Sequence, residues 1–95
     1  MKQYFVYITA NPGRTTLYVG VTNNLSRRLA EHRSNKGKPE TFAGRYFCYN
    51  LVHYETFSDV RMAISREKAI KLMNRKTKEE LIRTSNPRFS TIVIE

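Results

Sequence analysis

Arg28 and His32 stand four residues apart in the stretch Leu25-Ser-Arg-Arg-Leu-Ala-Glu-His-Arg33. Leu25 and Leu29 recur at helical spacing and mark the apolar face of a helix. At about 100° per residue, Arg28 and His32 stack on one side close to that face, while Arg27 points to the opposite side. A guanidinium at a core rim is suited to a bidentate grip on phosphate. An imidazole one turn on can donate to the same phosphate or shuttle a proton. The plainer alternative is an amphipathic helix whose arginine lays its stem over a sheet and whose histidine closes the helix end.

Glu67 is the second residue that asks for a reason. Val60, Ala63, Ile64 and Ile70 fall in one helical arc, and Glu67 sits near its middle. Burying a carboxylate unpaired is costly. Two arrangements avoid the cost: a divalent cation completed by waters, or an i,i+4 pair with Lys71. Met62, Ala69 and Met73 make a second apolar arc, so the helix is apolar almost all round. Asp59 is the only aspartate, so metal chemistry has to run on one or two glutamates.

Tyr7 and Tyr18 lie in β-prone runs. Tyr7 shares a strand side with Phe5, and Tyr18 with Gly20. Gly20 leaves backbone open beside a tyrosine, where a ligand can approach. Otherwise strand tyrosines are core-edge residues with a wet hydroxyl.

These residues need elements to hold them. Residues 3–9 and 16–21 are aromatic and β-branched and predict two strands around the Asn11-Pro12-Gly13 turn, an antiparallel hairpin. Both are apolar on both sides, which predicts central, covered positions. Thr22-Asn23-Asn24 offers an N-cap for a helix from Leu25 to Arg33. Residues 34–45 read as a basic, mobile loop. A third strand lies within 46–57. Ser58 can cap a helix that runs to about Asn74, with Asp59 at its positive end. A short helix, about Lys78 to Arg83, follows Thr77 and stops at Asn86-Pro87. Phe89 to Glu95 is an edge strand or stays loose. The order β-β-α-β-α-α predicts an α+β fold, a small three-stranded antiparallel sheet flanked by helices. The chain reads as a single domain over 1–95, with its core over about 2–87.

Lys and Arg number 17 against 8 Asp and Glu, a formal charge of +9, and the sequence pI is near 10.1. That excess points to a polyanionic partner. Two basic clusters, Arg33, Lys36, Lys38 and Arg45 in one and Lys71, Arg75, Lys76 and Lys78 in the other, flank a nucleic-acid path. Cys48 is the single cysteine, which excludes an intrachain disulfide and a Cys-rich zinc site. It reads as a small core residue. His53 reads as a strand surface residue, and Glu55 as a partner for a nearby Lys or Arg. No apolar run approaches the roughly 20 residues that span a bilayer. The N-terminus has no long apolar region followed by small residues, so a soluble, cytoplasmic protein is expected.

Phe5-Val6-Tyr7, then Tyr18-Val19-Gly20, then Arg28 and His32, then Glu67 on a later helix, together resemble the GIY-YIG nuclease family. The small single-domain bacterial members are the nearest likeness. The stretches Leu17-Tyr-Val-Gly-Val-Thr-Asn-Asn-Leu-Ser-Arg-Arg-Leu29 and Ala63-Ile-Ser-Arg-Glu-Lys-Ala-Ile-Lys71 carry most of it. The resemblance implies a three-stranded antiparallel sheet flanked by helices and metal-dependent hydrolysis of DNA phosphodiester bonds. It implies Tyr7 and Tyr18 as the two family tyrosines, Arg28 and His32 as the family arginine and histidine, and Glu67 as the ligand of one Mg²⁺ or Mn²⁺. Asn86 is the best match to a family asparagine, and Phe5 stands where the first tripeptide has glycine. No specificity domain is attached, so selection by DNA structure (branched, nicked or single-stranded) is expected over selection by sequence.

A free tyrosine titrates near 10, so a tyrosine acting as base at pH 7 has to be lowered by about 3, worth about 4 kcal/mol. Arg28, His32 and a metal are the available sources. Two other readings compete. One is a non-catalytic nucleic-acid-binding module on the same fold, with Glu67 in an ion pair. The other is a protein-interaction module that offers Thr91-Ile-Val-Ile-Glu95 as an edge strand. A binder has no use for Glu67, which repels phosphate unless a cation lies between them. The interaction module explains neither the +9 nor the tyrosine pair.

Overall fold

The computed structural model describes residues 2–94. Three antiparallel strands form one sheet in the order β2-β1-β3, with β1 (Tyr4–Ala10) flanked by β2 (Leu17–Thr22) and β3 (Asn50–Phe57). The strands alternate apolar residues on both faces, and each face carries its own core. Val6, Ile8, Ala10, Val19 and Val52 pack against Ala63 and Ile70 of α3 (Val60–Lys71) and Ile82 of α4 (Arg75–Ser85). On the other face, Tyr7 and Leu51 pack against Leu25 and Leu29 of α1 (Leu25–Ser34), with Phe5 and Tyr18 at the margin. The i, i+4, i+7 set Leu25, Leu29 and His32 is the buried stripe of α1. Asn24 caps that helix by accepting from the Arg27 amide.

The architecture agrees with the predicted α+β sheet, and several local expectations are corrected. β2 is an edge strand. It is apolar on both sides because a core covers each face, not because it has two strand neighbours. The loop after α1 contains a short helix, α2 (Phe42–Arg45), capped by the Thr41 hydroxyl on the Gly44 amide. Gly44 is required there: a Cβ would lie 2.5 Å from the Asn35 carbonyl and 2.7 Å from that of Lys38. That close approach ties the loop down. Asp59, not Ser58, caps α3, because its carboxylate reaches the Arg61 amide. One long helix to Asn74 is not formed. The chain breaks after Lys71, and Asn74 caps α4 by accepting from the Thr77 amide, so α4 starts before Lys78 and runs to Ser85.

The C-terminal segment forms no strand among the described residues. Ile92 donates its amide to the Leu51 carbonyl, and Ile92 and Ile94 cover the α1-side core. Asn86 fastens the segment, donating through Nδ2 to the carbonyls of Val52 (3.0 Å) and Ser90 (2.8 Å). Val52 falls outside the β1–β3 register, since Ile8 pairs with His53 and Thr9 with Leu51. Cys48 is buried and free, as expected, and burial pushes its thiol up to about 11.

Candidate functional site

Three of the predicted residues meet at the Tyr7 hydroxyl. Tyr7 is fully buried, and His32 is buried beside it. The Tyr7 oxygen lies 2.8 Å from His32 Nε2 and accepts from Arg28 Nε at 3.3 Å. The guanidinium cannot accept, so the one phenolic proton is free for the histidine. Arg28 Nη1 reaches Glu31 at 3.1 Å. The Tyr18 hydroxyl also lies close enough to the guanidinium to help raise it, and the side chain is 42% exposed. The guanidinium therefore presents one edge to solvent from the core rim, as the spacing on α1 predicts, while Arg27 is exposed.

Gly20 makes this packing feasible. It pairs with Tyr7 across the ladder, and a Cβ there would meet the Tyr7 ring and hydroxyl at 2.5–2.9 Å. The glycine admits the protein's own tyrosine, not a ligand. The electrostatics run against the expected lowering at Tyr7. Burial outweighs the Arg28 guanidinium and pushes Tyr7 up to about 12. Burial, with repulsion from Arg28, lowers His32 to about 4, so its imidazole is neutral at pH 7. Arg28 is raised by its hydrogen bond to Tyr7 and stays cationic.

Tyr18 sits half-buried at the β2 edge. Its ring is 6.2 Å from Tyr7 and 5.4 Å from His32, and it stacks on Phe42 at 6.2 Å. Beside it a cleft of about 300 Å³ is lined by Leu17, Tyr18, Val19, Phe42, Lys71 and Lys78. Three consecutive strand residues line it because it opens along the free edge of β2. There α3 and α4 from one face meet α2 and Tyr18 from the other.

Glu67 reaches this edge through Lys71. Its carboxylate pairs with Lys71 Nζ at 3.2 Å and its side chain is 14% exposed. This is the i,i+4 arrangement that the spacing of Glu67 and Lys71 offers. Among the described residues no three His, Cys, Asp or Glu side chains cluster as a metal site. The donor set is a single, largely buried carboxylate. That fits Mg²⁺ or Mn²⁺, which keep several waters and take the remaining oxygens from substrate phosphate.

A family model described as the GIY-YIG catalytic domain matches residues 3–80. The chain belongs to the GIY-YIG family. Among its relatives, a UPF0213 protein of Desulfotalea psychrophila is 40% identical over 90 residues, covering 94% of this chain and 79% of that protein. A UPF0213 protein of Lactiplantibacillus plantarum is 37% identical over 78 residues, covering 82% and 76%. The solution structure of the UPF0213 protein BH0048 from Bacillus halodurans superimposes with a TM-score of 0.59 at 28% identity, covering 94% of this chain and 92% of that one.

The other predicted residues of this GIY-YIG chain disperse. Asn86 spends its amide on the backbone of Val52 and Ser90 and makes no hydrogen bond to the tyrosine cluster among the described residues. Lys36, Lys38 and Arg45 belong to the loop and helix that carry Phe42, with Lys36 lying 5.5 Å over the Tyr49 ring. Arg33 instead borders Thr91–Ile94. Arg75 is consumed internally by Glu79 and by the Thr15 and Arg14 carbonyls. Lys76 is exposed on α4. His53 is buried, which corrects its reading as a surface residue: Nε2 lies 2.8 Å from Glu55, whose carboxylate takes two bonds from Arg66 at 2.8 and 3.1 Å. Burial pushes Glu55 up, but Arg66 and His53 outweigh it and hold the carboxyl below its usual range. Phe42 is the site residue that sequence reading missed. Its signal was Thr41 followed by an aromatic and Ala-Gly, a capped turn inside a loop read as mobile.

Proposed function

We propose that this GIY-YIG protein is an endonuclease that hydrolyses DNA phosphodiester bonds with Mg²⁺ or Mn²⁺, selecting DNA by structure more than by sequence. The observation that carries the reading is the convergence at the β2 edge. Tyr18, with Tyr7, Arg28 and His32 behind it, and Lys71, which is paired with Glu67, border one lysine-flanked cleft. A charge of +9 suits a polyanionic substrate acted on in the cytoplasm.

The chain's own residues divide the work. Arg28 presents the solvent edge of its guanidinium to a phosphate oxygen and stabilises the charge that builds as the phosphorus becomes five-coordinate. Tyr18, the tyrosine open to the cleft, orients the attacking water. Tyr7 is a positioning residue: it holds Arg28 by one lone pair and His32 by its proton. His32 is neutral at pH 7 and so has room for a proton. An anionic phosphate at Arg28 cancels the repulsion that depresses it and makes it a better acceptor. Glu67 would hold a divalent cation, which when bound would supply Lewis-acid stabilisation of charge on the phosphate and leaving oxygen.

The Glu67–Lys71 pair is also the observation in favour of the second reading, a non-catalytic nucleic-acid-binding module, because a paired carboxylate has no need of a metal. End-labelled single-stranded, duplex, nicked and branched DNAs, each with Mg²⁺, Mn²⁺ or chelator, separate the two. Cleavage with metal and none with chelator supports the nuclease. Salt-sensitive binding with no cutting under either metal leaves the binder.

A further inference from the structure

Phe42 and Tyr46 are exposed aromatics, 51% and 43% accessible, and their rings touch one another. They are one helical turn apart across α2, so they share a face. Their ring centroids are 4.7 Å apart, and Phe42 stacks on Tyr18 at 6.2 Å with planes inclined by only 27°. The three rings form a continuous path from the cleft outward to solvent. Lys71 and Lys78 border its inner end. Arg45, between the two exposed rings in sequence, and the exposed Lys38 accompany its outer end.

An exposed pair of large rings costs hydrophobic free energy, and these two cover no core of their own. Lysine and arginine beside them argue against an apolar protein partner and for a ligand that is flat, apolar on its faces and anionic along its length. An unpaired nucleobase on a phosphodiester backbone has that chemistry. Paired bases within a duplex keep their faces stacked on one another and cannot use such a path.

We infer that Tyr18, Phe42 and Tyr46 form a stacking path for unpaired nucleotides, so that the substrate carries a single-stranded segment next to the bond that is cut. The inference rests on the nuclease reading for its biological use, but the binding it describes does not depend on cleavage. Glycine-containing close packing holds α2 against the loop, so the path is preorganised and not assembled on binding.

The test uses the full chain carrying Glu67→Gln, which prevents cleavage from confusing the result. A single-stranded oligonucleotide with 2-aminopurine at successive positions reports stacking by fluorescence quenching, and titration gives its affinity. Expected are quenching at one or two positions, tighter binding of single strand than of duplex of equal length, and a loss of about 5- to 100-fold in affinity for Phe42→Ala or Tyr46→Ala. Phe42→Leu, which keeps apolar bulk for folding but lacks the ring, is expected to lose affinity as Phe42→Ala does. An abasic nucleotide at the quenched position gives a matching loss in the protein with Phe42 and Tyr46 intact. Equal affinity for duplex, or affinity unmoved by these substitutions and by the abasic position, overturns the inference and leaves the nuclease reading standing. Quenching and ring-dependent affinity, together with no cleavage by the unaltered protein under either metal, uphold the path and sink the nuclease reading.

Discussion

Gly20 faces Tyr7 across the β1–β2 ladder, and the Tyr7 hydroxyl occupies the space that a side chain at Gly20 would fill. A Cβ 2.5 Å from that oxygen has to move the ring, because the strand backbone on both sides is paired. Gly20→Ala is therefore expected to destabilise the fold by about 1–3 kcal/mol. It should lower cleavage further than that loss explains, since Arg28 and His32 both lean on the displaced hydroxyl. Thermal melts beside cleavage rates at a temperature where the variant is folded check both parts. Unchanged activity in a folded Gly20→Ala contradicts the role given to Tyr7.

His32 sets a pH dependence with a definite sign. Its folded value is about 4, below the ordinary 6.5. Between those values the unfolded chain binds a proton that the folded chain refuses, so stability falls as pH drops from 6.5 towards 4. The loss reaches about 3 kcal/mol at most. Glu55, also held low, loses its contribution as pH falls through the carboxylate range and steepens the acid limb. Denaturant titrations at pH 7.5, 6 and 5 test this. His32→Gln should flatten the slope between pH 6.5 and 5, where Glu55 stays ionised.

The His53–Glu55–Arg66 network lies apart from the tyrosine cluster and is assigned to stability. Arg66→Ala leaves a half-buried carboxylate with His53 alone and is expected to cost about 2 kcal/mol. Its effect on cleavage, measured on the folded variant, should be within about twofold. A large loss of activity with little loss of stability would put Glu55 in the reaction instead.

Basic residues should separate by what they touch. Lys78 borders the cleft and Arg75 is spent on Glu79 and the backbone of residues 14 and 15. Lys78→Ala is expected to reduce the slope of log affinity against log salt by about 0.7–0.9. Arg75→Ala should leave that slope in place and lower the melting temperature. Binding isotherms across a salt series read the difference.

The helical spacing of Leu25, Leu29, Arg28 and His32 was legible because a 3.6-residue period fixes which side chains share a face. The strand sides of Tyr7 and Tyr18 followed from a period of two. Strand order was not legible: β2 carries the same two-sided apolar pattern as β1, and a pattern records coverage of faces, not hydrogen bonding at edges. The helix starts were not legible: Ser58 and Asp59 can each cap α3, and α4 begins at the Asn74 cap ahead of Lys78, because backbone geometry decides which side chain reaches the free amides. The depressed His32 and raised Tyr7 were invisible for a related reason. Sequence placed Arg28 beside them, but the depth of burial that outweighs its charge comes from tertiary packing.

Glu67 is where the account is most exposed, because its carboxylate already has Lys71. The pair joins a half-exposed lysine to a largely buried carboxylate; Glu67→Gln keeps the side chain's size and an oxygen that Lys71 can still donate to, so the variant should fold with a loss of about 1 kcal/mol. The deciding measurement is the rate at which each protein cuts an end-labelled branched or partly single-stranded DNA in Mg²⁺ and in Mn²⁺. The account predicts metal-dependent cleavage by the unaltered protein and a loss of at least about a hundredfold in folded Glu67→Gln. Equal cleavage by the two proteins, or none by either, would contradict it.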